Sequence, residues 1–224
     1  MPRRTSDFAP GHTYHIYNRG AGRQNIFREQ ENYHYLLRTI GYYTKHLHLS
    51  PIAYCLMPNH YHLLLRQDGD EPAGELARFS FNRYTKAFNK RYGRTGTLFE
   101  GRYQSIHVDR TDYLLHLCRY IHANPVRAGL VSRPEAWPFS NYLEWVGLRD
   151  GVLVDRRFVA ETFPKSEDYR RFVAEYLEHP AILPDTLTPY LLDQRPLSHP
   201  ATTPPRPPSA VRRPIRPQVW NTRR

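Results

Sequence analysis

The sequence is poor in cysteine, in long apolar runs and, toward its end, in acid. Cys55 and Cys118 are the only 2 cysteines among 224 residues. That is too few for a disulfide framework or a thiolate metal cluster, and each reads as a small buried apolar residue. No apolar stretch approaches the ~18 residues needed to cross a bilayer. The opening Met1-Pro2-Arg3-Arg4 has no apolar segment behind its arginines, so neither a membrane span nor a signal peptide is expected. These absences suit a cytoplasmic protein with no membrane partner. From Arg195 to Arg224 there are seven arginines and not one Asp or Glu.

What is present in excess is positive charge. The formal net charge is +11 and the isoelectric point is near 9.8, a balance that favours a polyanion. Seventeen tyrosines and ten phenylalanines are interleaved with the basic residues, as in proteins that stack unpaired bases while neutralising phosphates. A membrane-surface protein would instead concentrate its charge on one amphipathic helix. Nucleic acid is the partner this composition implies.

Periodicity predicts a strand over His12 to Tyr17, ending at Asn18-Arg19-Gly20. It predicts an amphipathic helix from Glu29 to His46, with Tyr33, Leu36, Leu37, Ile40 and Tyr43 three and four apart. Leu49 to Leu56 and His60 to Gln67 read as a hairpin around Met57-Pro58-Asn59. A second helix is expected over Gly74 to Tyr92, a strand over Phe99 to Val108, and a third helix from Thr111 to His122, stopped by Asn124-Pro125. The order β-α-β-β-α-β-α implies an α+β fold: an antiparallel sheet with helices on one face, ferredoxin-like or shaped like an RNA-recognition motif. Trp137, Phe139, Tyr142 and Trp145 suggest a short helix packed back on the core, and Phe158 to Leu177 two more. Eleven of the chain's twenty prolines lie between Pro180 and Pro217. The division expected is a main domain over 1–146, a helical extension over 147–180, and a Pro/Arg-rich tail over 181–224 that is extended or disordered when free.

Two segments carry the chemistry. His60 and His62 flank Tyr61 at the start of a strand, so both imidazoles share one face, ~7 Å apart at Cα from two rises of ~3.3 Å, and can converge on one ion. On the third helix His116, Tyr120 and Asn124 recur every four residues as a polar stripe, beside an apolar stripe of Leu114, Leu117, Cys118 and Ile121. A hydroxyl and an amide one turn apart suit a site more than a core, and Asn124 could offer its carbonyl oxygen to the same ion.

Met57-Pro58-Asn59-His60-Tyr61-His62-Leu63-Leu64, followed by Tyr120-Ile121-His122-Ala123-Asn124-Pro125-Val126-Arg127-Ala128-Gly129, resembles the signature of the HUH single-tyrosine transposases. The closest likeness is to the branch of REP-associated tyrosine transposases, and it spans roughly Tyr14 to Val146. It implies a metal site on a central strand, with His60 and His62 as ligands of magnesium or manganese, Asn124 as a third ligand, and Tyr120 as the nucleophile that becomes joined to a 5′ phosphate. Tyr61 fits only loosely the hydrophobic middle position of that motif. The resemblance also implies single-stranded or hairpin DNA as substrate, and leaves open a monomer or a homodimer. His116 or His122 could assist in deprotonating Tyr120.

For DNA contact the spacing points to Arg83, Lys86, Lys90 and Arg94 as one basic stripe, with Arg102 and Arg127 added and Arg19 and Arg23 as weaker candidates. Two rival readings stand beside this one. A non-catalytic RNA-binding module is one, although no segment of the Arg/Lys-Gly-Phe-Gly-Phe type is present. The other is a zinc hydrolase using His60, His62 and either His107 or His116.

Overall fold

A computed structural model describes residues 8–179; the Pro/Arg-rich tail expected over 181–224 lies outside them. Four strands form one antiparallel sheet: β1 (Thr13–Arg19), β2 (Leu49–Leu56), β3 (His60–Gln67) and β4 (Gln104–Val108), in the order β2-β3-β1-β4. Helix α1 (Gln30–His46) joins β1 to β2, and α2 (Gly74–Arg91) joins β3 to β4. Helix α3 (Thr111–Arg127) follows β4, and three shorter helices complete the described chain: α4 (Tyr142–Trp145), α5 (Arg156–Thr162) and α6 (Ser166–Glu178). The predicted element order holds.

The sheet is covered on both faces, which corrects the expectation of helices on one. Tyr61 stacks on Phe81 of α2 with ring centroids 3.8 Å apart, while the next residue, His62, meets Tyr120 of α3. Adjacent strand residues point to opposite faces, so α2 and α3 lie on opposite sides. Helix α1 packs beside α2. The sequence carries the physical reason. Every residue of β3 except Arg66 is buried, a near-continuous pattern of the kind a strand shows when both of its faces are covered.

Two boundaries also differ. The chain from Phe99 to Tyr103 does not join the sheet as a strand: Phe99 makes only an isolated bridge to Gly20, and Gly101 turns the backbone at φ +70°. Helix α3 runs through Pro125 to Arg127 instead of stopping before it. Proline removes a single donor, the one that would reach the Ile121 carbonyl, and the last turn is secured by other bonds. Ala128 N–H donates to the Asn124 carbonyl, Gly129 N–H to Val126 and Leu130 N–H to Pro125, each at 2.9 Å. The last two bonds form a Schellman closure, which needs a left-handed residue just past the helix; Gly129 supplies it at φ +68°.

Strand β2 lies at a sheet edge, where Pro51 can be accommodated without a lost ladder bond. That edge is covered from outside. Trp137 Nε1 donates to the Leu56 carbonyl at 3.1 Å and Trp145 Nε1 to Ile52 at 2.9 Å, so the aromatic segment after α3 does pack back on the core.

Candidate active site

The turn between β2 and β3 docks on the segment that follows β1. Gly20 N–H donates to the Asn59 carbonyl at 2.7 Å, and Ile26 N–H donates to Pro58 at 2.8 Å. A Cβ on Gly20 would lie 2.1 Å from the Gln24 carbonyl oxygen, so this position needs glycine. The docked turn fixes Asn59, whose side-chain oxygen accepts from His60 Nδ1 at 2.7 Å. His60 thereby carries its proton on Nδ1 and its lone pair on Nε2.

His62 is held in a similar way from the neighbouring strand. In the β1–β3 register Tyr17 lies opposite His62 and Arg19 opposite His60, so His15, Tyr17 and Arg19 share the histidine face. His15 Nε2 and His62 Nδ1 are 2.9 Å apart, with the rings stacked at 5.1 Å. The His60 and His62 rings are perpendicular, 5.2 Å between centroids. His62 Nε2 is buried and has no protein hydrogen-bond partner, an exception that calls for an explanation in a folded protein. A bound cation is one.

Helix α3 brings its own groups to this face. The Tyr120 ring meets His62 edge-to-face at 5.5 Å, and both are buried. Asn124 stands one turn further along, buried, with its Nδ2 unpartnered. Among the described residues no group of three His, Cys, Asp or Glu side chains could hold a metal, so on the face of Tyr120 His60 and His62 stand as a pair and not as part of such a group. Burial lowers the His62 pKa far below its usual value, with His15 and His60 pushing the same way, and desolvation takes His15 to about 3. Both are neutral at neutral pH, the state in which an imidazole can ligate.

The model of the family described as "Transposase IS200 like" matches residues 9–124, just over half of the chain's 224 residues. The chain belongs to that family. No curated protein sequence matches it. Among solved structures, a REP-associated tyrosine transposase bound to a REP hairpin is similar with a TM-score of 0.55 at 20% identity, covering 70% of this chain and 98% of that one. At that identity the likeness establishes the fold. A protein described as a transposase from Deinococcus radiodurans R1 is more distant, with a TM-score of 0.38 and 14% identity over 50% of this chain and 89% of that one.

Within this transposase the remaining histidines separate cleanly. His107 pairs across the sheet with Tyr14, on the face opposite His62, and lies 2.7 Å from His12. It cannot complete a zinc set with His60 and His62, which corrects the form of that rival that used His107. His122 is also removed as a base for Tyr120. The Tyr169 hydroxyl of α6 bonds its Nδ1 at 2.5 Å and the Asn141 side-chain oxygen bonds its Nε2 at 2.9 Å. Desolvation lowers its pKa to about 4, against the Asn141 bond, which raises it. His116 shares the stripe of Tyr120 in sequence, yet its ring lies beside Phe172 of α6 at 5.9 Å.

The basic residues are dispersed. Arg83, Lys86 and Lys90 are exposed on α2, the helix on the far side of the sheet from Tyr120. Arg94 leaves their stripe, because α2 ends at Arg91; it is half-buried and bonded to Gln24 Oε1 at 2.9 Å. Arg102 is exposed in the segment before β4. Arg127 bonds the Tyr176 hydroxyl and lies over that ring at 5.1 Å. His15 and Asn59 went unassigned in the sequence, although alternation along β1 already places His15, Tyr17 and Arg19 on one face; Arg19 is paired there with Glu100.

Proposed function

We propose that this transposase cuts single-stranded DNA beside a hairpin, using Tyr120 as nucleophile and two strand histidines as ligands of a divalent cation. The observation that carries the reading is the packing of the Tyr120 ring against His62, whose inward nitrogen is buried and unpartnered. His60, His62 and Asn124 would hold the ion, magnesium or manganese. When bound, such an ion polarises a phosphate oxygen and offsets the charge that develops there during attack.

The chain's own groups do the rest. The Tyr120 oxygen forms a bond to phosphorus as the bond to the 3′ oxygen breaks, leaving a 5′-phosphotyrosine and a free 3′-hydroxyl. One phosphodiester is exchanged for another, so rejoining needs no external energy source. A free tyrosine has a pKa of ~10, so its proton must pass to a base during attack. With His122 committed to Tyr169 and Asn141, and the His116 ring set beside Phe172 of α6, that base is water at the site. Asn59 and His15 orient the histidines, and the helices exclude bulk water from the pair. Coverage of both sheet faces speaks against the rival RNA-binding module, which stacks bases on an open sheet.

The test is trapping of the adduct. A hairpin oligonucleotide with a single-stranded flank, taken from DNA beside the gene and labelled at its 3′ end, is incubated with the full chain and manganese. Label should move to a protein-sized band on a denaturing gel. The band should vanish with Tyr120→Phe, His60→Ala or His62→Ala, and weaken less with Asn124→Ala, because water can replace a neutral amide ligand. An adduct that survives Tyr120→Phe would transfer the role to another tyrosine, Tyr113 or Tyr103. Nicking without any adduct would favour a hydrolase.

A further inference from the structure

We propose that His15 is the positioning residue of the metal centre: by accepting a hydrogen bond at Nε2 it keeps the His62 proton on Nδ1 and leaves the Nε2 lone pair facing the ion. The inference rests on the reading that His60 and His62 hold a cation.

The geometry allows few alternatives. His15 and His62 are both fully buried, their facing nitrogens lie 2.9 Å apart, and their rings are within 16° of parallel. Two neutral imidazoles sharing one hydrogen bond have two proton arrangements. In one, His62 Nδ1–H donates to His15, and His62 Nε2 is a free lone pair. In the other, His15 donates, and the His62 proton sits on Nε2, where it would block a cation. Changing from one to the other requires relocating a proton on both rings. The outer nitrogens, His15 Nδ1 and His62 Nε2, are buried and have no protein partner, so nothing else from the protein selects between the arrangements. A cation selects the first, and His15 must then be the acceptor.

His15 thus occupies the place that a carboxylate or carbonyl commonly fills behind a metal-bound histidine. The difference has a chemical consequence. His60, His62 and Asn124 are uncharged, and so is His15, so nothing in this set cancels the charge of the ion. The full charge faces the phosphate. An acidic supporting residue would hold the metal more tightly and leave less of its field for DNA.

The experiment compares manganese affinity, by titration calorimetry on the full chain, of wild type, His15→Met and His15→Gln. Methionine fills the position with only a weak thioether acceptor; glutamine is of similar length and keeps a carbonyl acceptor. His15→Met should bind manganese roughly 10- to 100-fold more weakly, with His15→Gln closer to wild type, and unfolding in chelator should confirm that all three fold. Wild-type affinity in His15→Met, or equal weakening in both variants, would overturn the proposal. Imidazole nitrogen spectra of the magnesium-loaded wild type give a second, variant-free readout: the His62 proton is expected on Nδ1, and a proton on Nε2 would overturn the assignment. Absence of any metal binding by wild type would instead remove the metal reading itself, and this inference with it.

Discussion

Tyr61 and His62 are neighbours in the chain and look out on different environments. On the side of Tyr61, rings fill space against rings: Tyr61 stacks on Phe81 at 3.8 Å, and Phe99 meets both edge-on at 5.9 and 5.4 Å. On the side of His62, buried nitrogens of His15, His62 and Asn124 have no protein partner. The first face is what burial alone would select, since offset and edge-on aromatic pairs add ~0.5–1.5 kcal/mol each beyond their area. The second costs stability, because each unsatisfied buried polar group forfeits ~1–3 kcal/mol. A fold tolerates that cost where a ligand supplies the missing partner. One face anchors the sheet, and the other carries the residues of the proposed site.

The largest effect that would break this comparison comes from the anchoring face. Phe81→Ala should lower stability by ~3–5 kcal/mol, read from the urea midpoint, yet leave adduct formation per folded molecule unchanged. Loss of adduct under conditions where the variant is folded would show that the two faces are not independent.

The next effect belongs to the polar side. His15 has a folded pKa of about 3 and His122 of about 4, both lowered by desolvation, against an unfolded value near ~6.5. Between those values the unfolded chain binds protons that the folded one refuses. Stability is therefore complete above pH ~6.5 and is lost as the pH falls, down to about 4 for His122 and about 3 for His15. Over the interval from ~6.5 to ~5 each histidine should remove ~2 kcal/mol. Urea midpoints at pH 7.5 and 5, in chelator, measure it; equal midpoints would mean that these rings are protonated in the fold.

The smallest expected effect concerns α2. Neutralising Lys86 and Lys90 together should flatten the salt dependence of hairpin binding by up to ~0.7–0.9 in log–log slope per lost phosphate contact. At saturating DNA the rate of adduct formation should not move. A slower rate would mean that DNA spans both sides of the sheet and is positioned for attack from the far one.

Much of this arrangement was legible in the sequence, and the limits are physical. Alternation places His60 and His62 together, and four-residue spacing places Tyr120 near Asn124, because both periodicities are local. The supporting role of His15 was not legible, since it depends on β1 lying next to β3, and strand order is a non-local property. The same ignorance produced the helices on one face. Pro125 misled for a different reason: the rule that proline ends a helix concerns the residue before it, and here the turn at Gly129 restores the closure one turn later. Helical spacing does put Arg83, Lys86 and Lys90 on one exposed stretch of α2, and it fails at Arg94, where the helix has already ended.

Helix α3 is gripped from behind by residues that the family match does not include. The match ends at Asn124, while the partners of its rear side are Asn141, Tyr169, Phe172 and Tyr176, which hold His122, Arg119 and Arg127. The helix that carries Tyr120, the proposed nucleophile, therefore rides on a bearing that lies elsewhere in the chain.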